Sequence, residues 1–198
     1  MKDLQFPINF TFKISTLSND FTAKDATGNT VAYVRQKLFK FKEEVNINDD
    51  ESRSSIAYTI KANKWLDFSA AYSFKDKEGN EFGKIARKGW RSIWKAEYEL
   101  IDENEQLQYH VREENGWVKV MDAIFSEIPI IGIFTGYVFN PSYIVTDTSG
   151  KEIVRLKKQP SLVGRRFTVD KLGEIDNDDD DRIMLGLMMM ILLERRRG

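Results

Sequence analysis

Apolar side chains recur at every second position through much of this chain. Phe6, Ile8, Phe10, Phe12 and Ile14 alternate with Pro7, Asn9, Thr11 and Lys13. Leu66, Phe68, Ala70, Tyr72 and Phe74 alternate with Asp67, Ser69, Ala71 and Ser73. Trp90, Trp94, Ala96, Tyr98 and Leu100 fall on one face, with Arg91, Lys95, Glu97 and Glu99 on the other. Successive side chains of a strand point to opposite faces, so this period predicts strands with one side packed and one side wet. About a dozen such strands fit between residues 6 and 170, at the spacing of antiparallel β folds.

Four segments repeat around an aspartate: Phe21–Asn29, Tyr72–Asn80, Tyr98–Gln106 and Tyr143–Lys151. Each has an aromatic residue four positions before the Asp (Asp25, Asp76, Asp102 or Asp147), and three have Gly three positions after it (Gly28, Gly79, Gly150). Apolar pairs follow: Val31 and Val34, Phe82 and Ile85, Leu107 and Val111, Ile153 and Leu156. The pattern predicts β-hairpins. The Asp bonds its own backbone to start the turn, and the Gly supplies a positive φ. Glu105 stands where the third copy should have Gly, which predicts a looser turn there. These aspartates are poor calcium ligands, because an EF-hand loop needs acidic residues at alternating positions and a distal Glu.

Near the C-terminus the period disappears. Residues 183–193 are apolar on every side, preceded by Asp178–Asp181 and followed by Arg195–Arg197. A helix that is hydrophobic all round is buried all round or lies in a membrane. Eleven residues rise only about 16 Å, too short to cross a bilayer. The acidic run suits the positive end of a helix and the basic run its negative end. A calcium site within Asp176–Asp181 is the sharper reading of the same acids, but consecutive Asp residues on one turn rarely converge on an ion. A second, amphipathic helix is expected over 117–127, ended by Pro129.

So many antiparallel strands must hide their edges, and closure into a barrel does so. A barrel of about twelve strands is too wide for its own side chains to fill and needs a plug. The expectation is a mainly β, closed antiparallel barrel of about twelve strands around an apolar C-terminal central helix, with residues 1–198 as a single domain. Hairpins such as Phe21-Thr-Ala-Lys-Asp-Ala-Thr-Gly-Asn, the segment Asn140-Pro-Ser-Tyr-Ile-Val-Thr-Asp-Thr-Ser-Gly-Lys, and the terminal Asp181-Arg-Ile-Met-Leu-Gly-Leu-Met-Met-Met-Ile-Leu-Leu-Glu together resemble the tubby C-terminal-like superfamily. That superfamily includes tubby-like proteins, phospholipid scramblases and plant LURP-one-related proteins. The resemblance implies a barrel around a central helix, and it implies phosphoinositide or phospholipid binding through basic residues on the barrel. The cysteine-rich and Pro-rich segments of scramblases have no counterpart here, so the resemblance does not extend to lipid scrambling.

Composition narrows the chemistry. Lys+Arg is 30 and Asp+Glu is 31, a formal charge of −1, so the surplus of cations that nucleic-acid binding requires is missing. The chain has no cysteine, which removes disulfides, thiolate metal sites and cysteine nucleophiles. The start of the chain has no signal-peptide pattern, so the expected location is the cytoplasm, at most peripheral to a membrane. His110 is the only histidine and sits in an alternating strand between Tyr109 and Val111, where a structural role fits better than catalysis. No phosphate-loop motif is present. The sequence therefore predicts no enzyme, no cofactor and no metal.

The most suggestive surface is Arg87-Lys88-Gly89-Trp90-Arg91-Ser92-Ile93-Trp94-Lys95. Cations next to indoles suit an anionic headgroup, since Trp favours the membrane interface and cations meet phosphate. Arg87, Lys88, Arg91 and Lys95 are the candidate lipid contacts. The plainer reading is a barrel strand with buried Trp and solvated cations. Arg35, Lys37, Lys40 and Lys42 form a second basic cluster, and Lys157, Lys158, Arg165 and Arg166 a third. The expected function is a non-enzymatic binding module for acidic phospholipid headgroups or a membrane-associated partner. A structural or protein-interaction domain with no small ligand is the alternative, and an enzyme the weaker one.

Overall fold

The computed structural model describes residues 1, 4–13, 20–35, 44–62, 71–88, 97–114, 142–160, 165–176 and 179–195. Twelve strands and one helix occupy them. The strands are β1 (Ile8–Phe12), β2 (Phe21–Lys24), β3 (Thr30–Val34), β4 (Glu44–Asn48), β5 (Ile56–Ala62), β6 (Ala71–Lys75), β7 (Glu81–Arg87), β8 (Glu97–Asp102), β9 (Leu107–Glu113), β10 (Ser142–Asp147), β11 (Glu152–Gln159) and β12 (Arg166–Lys171). The helix α1 spans Asp179–Arg195. Each strand pairs antiparallel with its neighbours in sequence, and β1 also pairs with β12, Ile8 opposite Val169 and Thr11 opposite Arg166. The sheet is a closed barrel with no free edge.

Alternation sets the inside of the barrel. In β1, Ile8, Phe10 and Phe12 are buried while Asn9 and Thr11 are exposed. Phe21, Ala23, Phe74, Ile85, Tyr98, Leu100, Val111, Val145, Val154, Leu156 and Val169 join them in one core. The plug is α1: every residue from Ile183 to Leu192 is buried. Methionines at 184, 188, 189 and 190 fill the irregular space between helix and wall, a use that suits their unbranched, flexible chains. Gly186 is where the wall comes closest, since a Cβ built there would lie 2.5 Å from Leu100 Cδ2.

A meander of this kind sends alternate connections to opposite rims. The hairpins β2–β3, β4–β5, β6–β7, β8–β9 and β10–β11 all turn at one rim, called here the turn rim, and α1 enters the barrel from the same side. All four repeated aspartates lie there. Asp25 Oδ1 accepts from the Thr27 and Asn29 amides, at 3.0 and 2.8 Å. Asp76, Asp102 and Asp147 likewise accept from the amides of Asn80, Gln106 and Lys151, four residues on, at 2.8, 2.8 and 2.9 Å. Gly28, Gly79 and Gly150 have φ of 88°, 89° and 87°, as the turn requires.

Two features differ from expectation. The third turn is not looser: Glu105 itself takes φ 62° and its amide bonds Asp102 O at 3.3 Å, so an L residue occupies the left-handed position and the geometry is kept. A fifth turn, between β4 and β5, shares the Asp acceptor and the left-handed residue, though its Ser54 amide bonds Ser52 Oγ rather than the Asp. Asp50 Oδ1 accepts from the Ser52 amide at 2.8 Å, and Arg53 takes φ 58°. It lacks both the Gly and the preceding aromatic residue, which hid it in the sequence. Every one of the five hairpins has a register shift just inside its turn, between Ala23/Lys24, Ile47/Asn48, Phe74/Lys75, Leu100/Ile101 and Val145/Thr146. A β-bulge there explains why the repeated apolar pairs Val31/Val34 and Phe82/Ile85 are three apart rather than two: the extra residue restores the first of each pair to the core side. The helix expected at 117–127 and the apolar positions Ile14, Leu66, Phe68, Ala70, Trp90, Trp94 and Ala96 lie outside the described residues.

Candidate functional site

The sequence points to cations, and the topology puts the described members of the three basic clusters towards the far rim, opposite the turns. Arg87 ends β7 and Lys88 follows it; Arg35 follows β3; Lys157 and Lys158 lie near the end of β11; Arg165 and Arg166 lie at the start of β12. Around the barrel wall β3, β2, β1, β12 and β11 are consecutive neighbours, so Arg35 and the third cluster share one arc, with Arg87 and Lys88 further round. Arg35 and Arg166 are exposed. The chosen cluster is only partly visible. Lys88 Nζ lies 3.6 Å from Glu97 and 3.4 Å from Glu99, and these carboxylates, Glu97 first, hold its pKa above the ordinary lysine value. Arg87 is half-buried at the strand end. Arg91, Lys95, Lys37, Lys40 and Lys42 lie outside the described residues. In the third cluster Lys157 faces Asp170 at 3.6 Å.

The turn rim has the opposite character. Its carboxylates are spent on backbone amides and neighbouring side chains, which keep Asp25, Asp50, Asp76, Asp102 and Asp147 below the usual carboxylate range. The leading partner is the Thr27 hydroxyl for Asp25, the Ser52 hydroxyl for Asp50, the Asn80 amide group for Asp76, the Gln106 backbone for Asp102 and the Ser149 hydroxyl for Asp147. Where α1 enters, a polar collar closes the mouth. Tyr109 donates to Asp179 at 2.7 Å, Tyr58 donates to Asp181, and the Met1 amino group meets both Tyr58 and Asp181. Burial, then the neighbouring aspartate, pushes both phenols well above their ordinary pKa. Arg182, buried, gives two bonds to Phe82 O at 3.2 and 3.0 Å, reaches Glu103 at 3.0 Å and pairs with Asp179. It packs over Gly83, where φ is 152° and a Cβ would lie 2.6 Å from its Nε. The sequence reading did not single out Arg182, Tyr58 or Tyr109. The one available signal was a lone Arg between an acidic run and an apolar helix.

Beside the collar is an open groove of about 770 Å³. The β2–β3, β4–β5 and β6–β7 turns form it, with Asp25, Asp49 and Asp76 among its walls and Val31, Ile56 and Tyr58 within. Ile56 is 47% exposed.

His110 stands on β9 between Glu99 and Thr146 of the adjoining strands. Among the described residues no group of three or more His, Asp or Glu could hold a metal ion, and no helix is long and apolar enough to cross a membrane. Of the Asp176–Asp181 run, Asp179 and Asp181 are engaged in the collar, and burial raises the pKa of Asp180.

Comparison with known proteins agrees with the barrel. No curated protein matches the chain. Among solved structures, an X-ray structure of an Arabidopsis thaliana protein superposes with a TM-score of 0.51, covering 98% of this chain and 94% of that one at 11% identity, a likeness of fold alone. The family model described as LURP-one-related matches residues 30–129, from the start of β3 to beyond β9, and takes in the barrel wall that packs on Arg182 and Gly186. With that match over half its length, and a closed barrel around an apolar helix, the chain belongs to the LURP-one-related family, within the tubby-like superfamily.

Proposed function

We propose that this domain is a non-enzymatic binding module that lays its far rim against a membrane surface carrying acidic phospholipid headgroups. The observation that carries the reading is topological. The described members of three basic clusters, Arg35, then Arg87 and Lys88, then Lys157, Lys158, Arg165 and Arg166, lie towards the strand ends of one rim, while the Asp turns collect at the other. With a formal charge of only −1, the molecule has no net field to steer it, and the attraction is local: cations within a Debye length of an anionic leaflet each add about 1 kcal/mol. The plugged barrel supports binding at a surface rather than inside, because α1 leaves no room for a ligand in the core. Membership of a tubby-like family supports a binding role without specifying the ligand.

Flotation with vesicles tests this. The chain is expected to float with vesicles containing phosphatidylserine or phosphoinositide, to stay behind with neutral vesicles, and to be released by high salt. The double variant Arg35→Glu, Arg166→Glu should lose most of the binding without loss of fold, as both side chains are exposed. Equal behaviour on neutral and anionic vesicles would sink the proposal and leave a protein-interaction domain as the better reading.

A further inference from the structure

We infer that the lipid contact of the far rim is centred on Lys13, which joins Arg35 to Arg165 and Arg166 in one basic patch, and that Glu51 is the resident counter-ion which an acidic headgroup must displace. The inference rests on the membrane reading above and names the residues of that same site. Ion pairing divides the cations of the rim into two kinds. Lys88 is held by Glu97 and Glu99, and Lys157 by Asp170. Among the described residues Arg35, Arg165 and Arg166 form no ion pair. All three lie on the arc of neighbouring strands β12, β1, β2 and β3: Arg165 just before β12, Arg166 at its start, and Arg35 just after β3.

Lys13 stands in the middle of that arc, although it belongs to none of the three clusters visible in the sequence. It continues β1 past Phe12, whose amide donates to Arg165 O at 3.1 Å, and its own amide donates to Asp20 O at 2.9 Å, just before β2. Thr11, on the same outer face, lies opposite Arg166. The Lys13 side chain leans across β2, so that Nζ is 5.1 Å from the centre of the Tyr33 ring on β3. Neighbouring strands are about 4.8 Å apart, so the patch spans about 14 Å from β12 to β3, and Lys13 fills the gap. Its counter-ion comes from the β4–β5 turn. Glu51 pairs with Lys13 at 2.6 Å and accepts from the Thr22 hydroxyl at 3.1 Å. The side chains of Lys13 and Glu51 are 37% and 51% exposed. A pair so open to water is weakly held, and the guanidinium groups on either side bring phosphate to it. Headgroup phosphate takes Lys13 from Glu51 by side-chain rotation, with no change in the barrel.

Flotation with phosphatidylserine vesicles at low salt is the test, with single-charge variants as probes. Lys13→Met is expected to weaken binding about fivefold, the worth of one cation at an anionic surface. Lys88→Met removes the same charge from a cation that has its own acids, and should change binding less than about twofold. Glu51→Gln should strengthen binding about threefold, and should do nothing in a chain that already carries Lys13→Met. Gln keeps an acceptor for Thr22, so circular dichroism of that variant should match the parent. If Lys13→Met does not fold, the gain from Glu51→Gln decides alone. Equal losses from Lys13→Met and Lys88→Met, or no gain from Glu51→Gln, would overturn the inference. If Arg35→Glu with Arg166→Glu abolishes flotation while the Lys13 and Glu51 variants behave as the parent, this inference alone fails. If the parent chain itself ignores anionic vesicles, the membrane reading fails and takes this one with it.

Discussion

The five Asp turns share a backbone, but not the residue that makes it easy. Gly holds the left-handed position in three, while Glu105 and Arg53 hold it at φ 62° and 58° in the others. For an L residue that conformation costs roughly 1–2 kcal/mol, and glycine avoids it. Glu105 recovers part of the cost by pairing with Lys84. Among the described residues Arg53 has no ion pair to weigh against the strain, so Arg53→Gly should stabilise the protein by about 1 kcal/mol, read as a higher urea midpoint at unchanged slope. The sequence announced four turns by their aromatic residue and Asp, three of them also by Gly. It could not announce the fifth, because a left-handed Arg is a cost the fold tolerates, not a preference that a residue type reveals. The bulges were equally silent, though the three-residue spacing of Val31 and Val34 was their trace.

At the scale of the element, α1 is the feature most fully legible in the sequence, since an all-round apolar segment too short for a bilayer has few places to go. Its fit is tighter than the sequence implied. Gly186→Ala sets a methyl 2.5 Å from Leu100 Cδ2. Helix propensity favours Ala by about 1 kcal/mol, yet overpacking a filled core costs typically 1–3 kcal/mol, so a net loss of about 1 kcal/mol is expected. Leu100→Val in the same chain should recover part of it, and a double-mutant cycle would report that coupling. The polar collar was not legible, because Tyr58, Phe82, Glu103 and Tyr109 come to Arg182 and Asp179–Asp181 from distant strands, and no local pattern records the meeting. The basic clusters were visible as sequence, but the shared rim of their described members required the topology.

The whole molecule carries two further expectations. Among the described residues six carboxylates, the five turn aspartates and Glu51 beside Lys13, sit below their ordinary pKa, so each contributes stability that is complete above the unfolded value of about 4 and is lost as pH falls through the lower folded values. Asp180 has the opposite sign: its raised pKa means that protonation relieves it, but it is one against six. Acid unfolding should therefore begin only below about pH 4, with net proton uptake, as a titration followed by circular dichroism would show. Closure makes the second expectation. A barrel has no frayed edge, so amides of β1, hydrogen-bonded into the sheet from both sides, should exchange as slowly as those of β8 or β9. Fast exchange confined to β1 and β12 would mean that the seam opens on its own.

That seam also has a consequence for the order in which the molecule can form. Ile8 must find Val169 across most of the chain, and the space that their pairing encloses stays empty until residues 183–192 arrive to occupy it. A ribosome releases those residues after every strand. The first strand made is therefore left waiting for the last, and the hairpins, each local and self-contained, can assemble early while the cylinder cannot. Folding of this protein should be late, slow and governed by its final segment, as expected of a topology whose decisive contacts are the most distant ones.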